Sequence, residues 1–248
     1  MTVVQVVPRP AGAQRGDPAP WEQLAPEARS SIPLSEVRLA LQAGRGARGP
    51  WRPASRVAPA ELPPRGDDRA AAVLCLLFER QGQARVVLTR RSRSLRHHAG
   101  EVCFPGGRLD QDEEPLGAAL REAREEVGLL PATVEVIGEL GPLTTRSSTA
   151  LVHCFVGCAV GGDEGAAGPA LDVCSEEVER VFDVALADLA APGVFHEELW
   201  PLAGPGGVAL RAVPFFDLPA PADELVWGAT GRMLVELLDV VLCRRAQG

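Results

Sequence analysis

The stretch Gly107-RLDQDEEPLGAALREAREEVG-Leu129 decides how this chain is to be read. Pro115 suits the first position of a helix, and Gly128 suits the residue just past its end. Between them Leu116, Ala119, Leu120, Ala123 and Val127 recur at helical spacing and form one apolar face. Glu122, Glu125 and Glu126 stand at i, i+3 and i+4, so they share a neighbouring face. They fall in the last two turns, where the helix dipole makes each negative charge unfavourable by roughly 0.3–1 kcal/mol. The like-charged pair Glu122 and Glu126 adds about 0.2–0.5 kcal/mol of repulsion. Arg121, four residues before Glu125, relieves only part of this. A solvated acidic face is the ordinary explanation of helix charges. A divalent cation would instead turn the repulsion into coordination.

The spacing as a whole resembles the Nudix box, G-x5-E-x7-R-E-U-x-E-E-x-G-U, where U is aliphatic. Gly107, Glu113, Arg121, Glu122, Glu125, Glu126, Gly128 and Leu129 match it, and Ala123 fills the first aliphatic position with a smaller side chain than usual. The resemblance implies an α/β fold, a Nudix-type α/β/α sandwich with a mixed sheet and a catalytic loop-helix-loop. It also implies a metal-dependent pyrophosphohydrolase. Glu122 and Glu126 are then expected to hold Mg2+ or Mn2+, with Glu125 as a third ligand or as the base for water. Hard cations suit such a site because they take carboxylate oxygens and retain waters. Arg121 is expected to orient a box glutamate, and Glu113 to stabilise the loop.

A second motif lies upstream: Leu88-Thr89-Arg90-Arg91-Ser92-RSL-Arg96-HHA-Gly100-EVC-Phe104-Pro105-Gly106-Gly107. It resembles the signature of coenzyme A pyrophosphatases within the Nudix group, L-T-x-R-S-x3-R-x3-G-x3-F-P-G-G. Arg91 and Arg96 offer planar donor forks suited to phosphate oxygens. Gly100, Gly106 and Gly107 allow close backbone approach to a ligand or a sharp bend. These five are the expected substrate-binding residues. His97 and His98 read more simply as surface residues of a basic loop, Arg90 and Arg93 as solvated side chains, and His153 as a core residue of an apolar strand. Glu177 reads better as a member of an ion pair than as a metal ligand. The region Leu143-TTRSSTALVHCFVG departs from the subfamily, placing Arg146, Ser147, Ser148 and His153 where a Gly step and a proline are expected.

Composition bounds the rest. The chain has 248 residues, a net charge of −8 and 46% hydrophobic residues. A substantial core is available, and the acidic balance argues against a nucleic-acid partner. All 25 basic residues are arginine, and Lys, Asn and Tyr are absent. These missing residues share AT-rich codons, so the arginine count reports a GC-rich genome rather than a function. None of the six cysteines forms a C-x-x-C pair, which points to reduced thiols and a cytoplasmic setting. No apolar run is long enough to span a bilayer, and no basic start precedes an apolar leader core, so no membrane partner is expected.

Two segments are expected. Residues 1–68 form a Pro/Arg/Ala-rich, weakly ordered extension with one short helix, Ser35 to Gly44, capped by Ser35. Eleven of the 22 prolines fall in 1–69. Trp21, Leu24 and Trp51 are its candidate docking residues, and deletion of 1–65 is expected to spare most activity. The Nudix domain spans 69–248. Its expected strands are 70–78, 85–90, 101–104, 133–140, 151–160, 177–184 and 208–216. A short helix begins at Leu186, and a long buried helix runs from Asp223 to Leu242.

For coenzyme A or its thioesters, the resemblance implies the products 3′,5′-ADP and 4′-(acyl)phosphopantetheine. Hydrolysis of another nucleoside diphosphate derivative, such as ADP-ribose, NADH or a dinucleotide, stays open. So does a non-catalytic Nudix-fold binding module. The partner is a small molecule in the first two cases, and both a monomer and a homodimer fit the sequence.

Overall fold

The computed structural model describes residue 5 and residues 7–44, 70–144, 151–160, 168–204 and 207–242. The chain enters through β1 (Gln14–Arg15), the single turn α1 (Pro26–Arg29) and helix α2 (Leu34–Gly44). Next come β2 (Ala71–Arg80), β3 (Gln83–Arg91), β4 (Val102–Cys103), β5 (Gly106–Arg108) and α3 (Pro115–Val127). Then follow β6 (Val134–Thr144), β7 (Leu151–Ala159), β8 (Val178–Ala185) and α4 (Leu186–Leu189). The last elements are β9 (Phe195–Gly204), β10 (Gly207–Leu218), β11 (Glu224–Trp227) and α5 (Gly228–Leu242).

β2 organises the larger sheet. It pairs antiparallel with β3 and β5 and parallel with β7, which makes the sheet mixed. β6 extends it beyond β7, and β8 and β4 pair with β3. β2 reads as an unbroken apolar run because both its faces are covered. Ala72, Leu74, Leu76 and Phe78 pack with Ala118, Ala119, Ala123 and Val127 of α3. Cys75 and Leu77 face the opposite layer, where α2, α5 and a second sheet meet in one apolar cluster. Ala118, Ala119 and Ala123 are fully buried, and their small side chains let α3 lie close to the sheet. The α/β sandwich with a mixed sheet is thus present, with an added antiparallel sheet of order β1-β9-β10-β11 in the layer opposite α3.

Two expectations change. The C-terminal helix begins at Gly228 and not at Asp223. Residues 224–227 form β11, paired with Leu218 to Phe215 of β10. Leu225 and Val226, inside the expected helix, instead alternate between the two faces of a strand. Val226 enters the main cluster, while Leu225 joins Phe215 on the other side of the small sheet. Gly228, at φ 64°, makes the break between strand and helix.

The second change concerns the extension. Weak order was expected of residues 1–68, yet residues 7–44 pack onto the domain. Trp21 is 2% exposed, and Ile32 and Val37 are fully buried in the main cluster. The Trp21 ring meets Phe195 edge-on, with centroids 5.5 Å apart. Backbone bonds tie the segment down, Ala84 donating to the Ile32 carbonyl at 2.7 Å. Glu79 Oε2 accepts from the Leu34 N–H at 2.9 Å, so the helix starts at Leu34 with Ser35 inside it. Proline density read as disorder because the sequence does not reveal that an extended segment has a hydrophobic surface to lie on. Trp51, Arg146, Ser147, Ser148 and Cys243 lie outside the described residues.

Candidate active site

The loop before α3 sets the site. β5 is short and glycine-rich because it must lie against β2 and under α3 at once. A Cβ on Gly106, at φ 152°, would come within 2.4 Å of the Ala72 carbonyl oxygen. A Cβ on Gly107 would sit 2.5 Å from the Glu122 carboxylate. Both glycines therefore make room for β2 and for a carboxylate. Pro115 opens α3 and Gly128, at φ 71°, closes it in the left-handed conformation, as the sequence predicts.

The three glutamates do not share one environment. Glu126 is 4% exposed, and its Oε2 accepts from the Gly106 N–H at 3.1 Å. Burial pushes its carboxyl up to about 7, against the pull of that N–H and of Arg91. Glu122 is half-buried against Gly107, and burial raises its pKa as well. Glu125 turns outward, with its side chain 59% exposed.

Arg121 gathers the loop and the helix. Its Nε and Nη2 donate to the two oxygens of Glu113, each at 2.9 Å, in the bidentate manner of a guanidinium on a carboxylate. Its Nη1 reaches Glu122 Oε1 at 3.0 Å and Glu125 Oε2 at 3.2 Å, and Nη2 reaches the Arg108 carbonyl at 3.2 Å. Glu113 also accepts from the Asp110 N–H at 3.0 Å. The Arg121 hydrogen bonds hold the Glu113 carboxyl down at about 2.

The upstream motif is only partly brought to these carboxylates. Arg91 Nη1 stands 3.9 Å from Glu126 Oε1, and Nη2 pairs with Glu177 Oε2 at 3.2 Å. Glu177 thus forms the expected ion pair, and its charge also reaches Glu122 and Glu126. Gly100 is buried at φ 71°, and its N–H donates to the Arg91 carbonyl at 3.2 Å, closing the loop 92–100 on itself. Arg96 is exposed and makes no ion pair among the described residues. His98 is more than a solvated residue: its Nδ1 lies 2.8 Å from Glu101 Oε2, and that bond raises its pKa. His153, on the interior strand β7, pairs with Glu139 Oε1 at 3.2 Å and is only partly buried, not a core residue.

Arg90 is the residue that sequence reading missed. It is 4% exposed and its Nη1 donates to the equally buried Glu224 at 2.8 Å. An arginine among four within the seven residues 90–96 looks solvated. Alternation along β3, which sends neighbouring side chains to opposite faces, was the available signal.

Among the described residues no three carboxylate, imidazole or thiol groups converge as a ready metal cage. Glu122 and Glu126 nevertheless fit a hard divalent cation. They are neighbouring, under-neutralised carboxylates beside glycine backbone, and Mg2+ characteristically takes one or two carboxylates plus substrate phosphates. A cavity of about 940 Å3 lined by Leu34, Arg38, Phe78, Leu130 and Val160 opens at the other end of β2, away from this chemistry.

A carboxylate-lined helix following a glycine-rich strand, on a mixed α/β sandwich, defines the class. The NUDIX domain family model matches residues 68–202, more than half of the chain, and the chain belongs to this family. It is 32% identical over 178 residues to "Nudix hydrolase 22, chloroplastic" of Arabidopsis thaliana, covering 71% of this chain and 56% of that protein. Similarity to "Nudix hydrolase 3" of Caenorhabditis elegans is 39% identity over 178 residues, covering 69% of this chain and 73% of the relative. An Escherichia coli protein, "Uncharacterized Nudix hydrolase NudL", is 42% identical over 131 residues, 52% of this chain and 63% of that one. The chain thus spans a little over half the length of the plant relative.

Proposed function

We propose that this protein hydrolyses the diphosphate bond of a nucleotide derivative, with coenzyme A or its thioesters as the substrate class. The observation that carries the reading is the pairing of two half-buried or buried carboxylates, Glu122 and Glu126, with Arg91 facing Glu126 across the site. Glu122 and Glu126 would hold Mg2+ or Mn2+, which when bound supplies neutralisation of the diphosphate and activation of water. Arg121 keeps Glu122 and Glu125 oriented through Nη1. Glu125, held by Arg121 Nη1 on the exposed side of the pair, would take the proton of the attacking water or add a ligand oxygen. Arg91 and Arg96 bind phosphate oxygens of the substrate, and the backbone at Gly100, Gly106 and Gly107 lets it approach. The products are 3′,5′-ADP and 4′-(acyl)phosphopantetheine.

Free thiols at Cys75, Cys103, Cys154, Cys158 and Cys174 support a cytoplasmic setting as part of this reading. No helix among the described residues is long and apolar enough to cross a membrane. The departure from the subfamily pattern at 143–153 favours a second reading, another nucleoside diphosphate derivative such as ADP-ribose or NADH.

The deciding experiment compares kcat/KM for coenzyme A, dephospho-coenzyme A, ADP-ribose and NADH with MgCl2 or MnCl2. Preference for coenzyme A supports the first reading, and preference for ADP-ribose or NADH the second. No metal-dependent turnover of any would leave a binding module. Arg96→Ala should lower kcat/KM for coenzyme A by roughly ten- to a hundredfold, the loss of one charged hydrogen bond. A smaller penalty with dephospho-coenzyme A would place Arg96 at the 3′-phosphate.

A further inference from the structure

Arg90 and Arg91 are adjacent at the end of β3, yet they serve opposite faces of the sheet. Arg91 points to the α3 side, toward Glu126 and Glu177. Arg90 is held on the other side by Glu224 of β11, with the two side chains 5% and 4% exposed. The pairing of β3 with β8 is irregular at this point. Arg90 lies opposite Arg180 and Arg91 opposite Val178, which leaves Glu179 as an extra residue in β8. Such bulges re-aim side chains and increase local twist. Glu179 stands 3.9 Å from Arg90 Nε and 3.6 Å from Arg93 Nε, so the bulge also touches the start of the motif loop. Arg180 completes the back of the network, reaching Glu224 at 3.4 Å and the Ala222 carbonyl at 3.0 Å.

A buried ion pair contributes little net stability compared with apolar side chains of similar volume, because desolvation offsets the attraction. What it supplies is direction: a guanidinium on a carboxylate fixes both partners in angle as well as distance. At the bulged end of β3, fixing Arg90 fixes the rotation of the strand about its axis. That rotation sets where Arg91, the next residue, points.

We propose that the buried Arg90–Glu224 pair is a positioning device that aims Arg91 at the substrate phosphate from the opposite face of the sheet. It deepens the reading of Arg91 as a phosphate-binding residue, and rests on it. Neither Arg90 nor Glu224 touches substrate; both act through Arg91.

The test uses the full chain, with coenzyme A or ADP-ribose as probe, whichever the unaltered protein turns over faster in MgCl2. Replacing both partners, Arg90→Met with Glu224→Met, removes the two buried charges together and should leave the melting temperature unchanged or higher. KM should rise about tenfold, on the scale of one weakened charged hydrogen bond, while kcat changes little. On an Arg91→Ala background the same pair of substitutions should add no further rise in KM, since its effect passes through Arg91. A folded double variant with unaltered KM overturns the proposal, and so do KM effects that multiply with those of Arg91→Ala. If the double variant does not fold, Arg90→Lys serves instead. It keeps the charge and loses the planar fork, and an unaltered KM in it also overturns the proposal. Arg91→Ala alone separates the two ideas. If it leaves KM as it was, the phosphate-binding reading falls and takes the proposal with it. If it raises KM while the Arg90 variants do not, only the proposal falls.

Discussion

Glu126 carries the largest cost of the site. It is a carboxylate 4% exposed on a helix face that otherwise holds Ala119, Ala123 and Val127. A charge buried this way is unfavourable unless paired, and here one N–H and an arginine 3.9 Å away answer it only in part. Glu126→Gln should therefore keep the fold, raise the melting temperature of the metal-free protein slightly, and cut metal-dependent turnover by orders of magnitude. Near-normal turnover in limiting Mg2+ would remove Glu126 from the metal site. Gly107 tests Glu122 in a different way. A methyl group there meets the far end of a flexible side chain, 2.5 Å from the carboxylate, so Gly107→Ala should displace Glu122 and spare the fold. A circular dichroism spectrum like that of the parent, with Mn2+ affinity reduced, is the expected result. An unaltered affinity would show that Glu122 does not hold the cation.

At Gly106 a methyl group would meet the Ala72 carbonyl and the Val73 Cα, which cannot step aside. The positive φ alone costs about 1–3 kcal/mol for a residue with a side chain. Gly106→Ala should thus destabilise the whole domain and not only the site, read as a lower urea midpoint. A melting temperature equal to that of Gly107→Ala would contradict this. Helix α5 offers a test by pH. Glu236 accepts the Gly141 N–H at 2.7 Å, and burial raises its pKa, net of the attraction of Arg232 and the repulsion of Asp239. A carboxyl raised in the folded state stabilises the protein below its unfolded value of about 4.3, and that contribution is lost as pH rises through the folded value. Glu236→Gln keeps an acceptor for Gly141 and has no charge to bury. Its stability relative to the parent should grow between pH 4 and pH 8 in urea titrations, and a constant difference across that range would refute the assignment.

For the molecule as a whole, the first segment is part of the core. Trp21, Ile32, Val37 and Leu41 are all buried in the cluster that also holds α5 and the inner face of β2. Burying side chains of this size contributes about 1.5–3 kcal/mol each, against a total stability of about 5–15 kcal/mol for a typical domain. A chain lacking residues 1–44 should fail to fold cooperatively, contrary to what proline content predicts. Cooperative melting near the parent temperature, with activity kept, would show that the packing of 7–44 is dispensable.

The box helix was legible in the sequence to the residue, from Pro115 to Gly128, because its limits are local: a ring that fixes φ at one end and a missing Cβ at the other. Most strands of the larger sheet were legible for the same reason, as apolar runs between turn residues, whereas β5, Gly106 to Arg108, holds no such run and was not expected. What stayed hidden depends on partners far away in the chain. Leu225 and Val226 fit a helix as well as a strand until Phe215 and Phe216 of β10 lie beside them. Residues 7–44 look unfavourable for order until the surface around Phe195 and Phe216 receives Trp21. Arg90 looks solvated until Glu224, 134 residues later, is brought to its guanidinium. Spacing along one helix placed the three glutamates together, and only tertiary packing separated them, burying Glu126 under β5 and leaving Glu125 in water. Local geometry follows from neighbours in sequence, whereas burial and charge pairing follow from which surfaces meet.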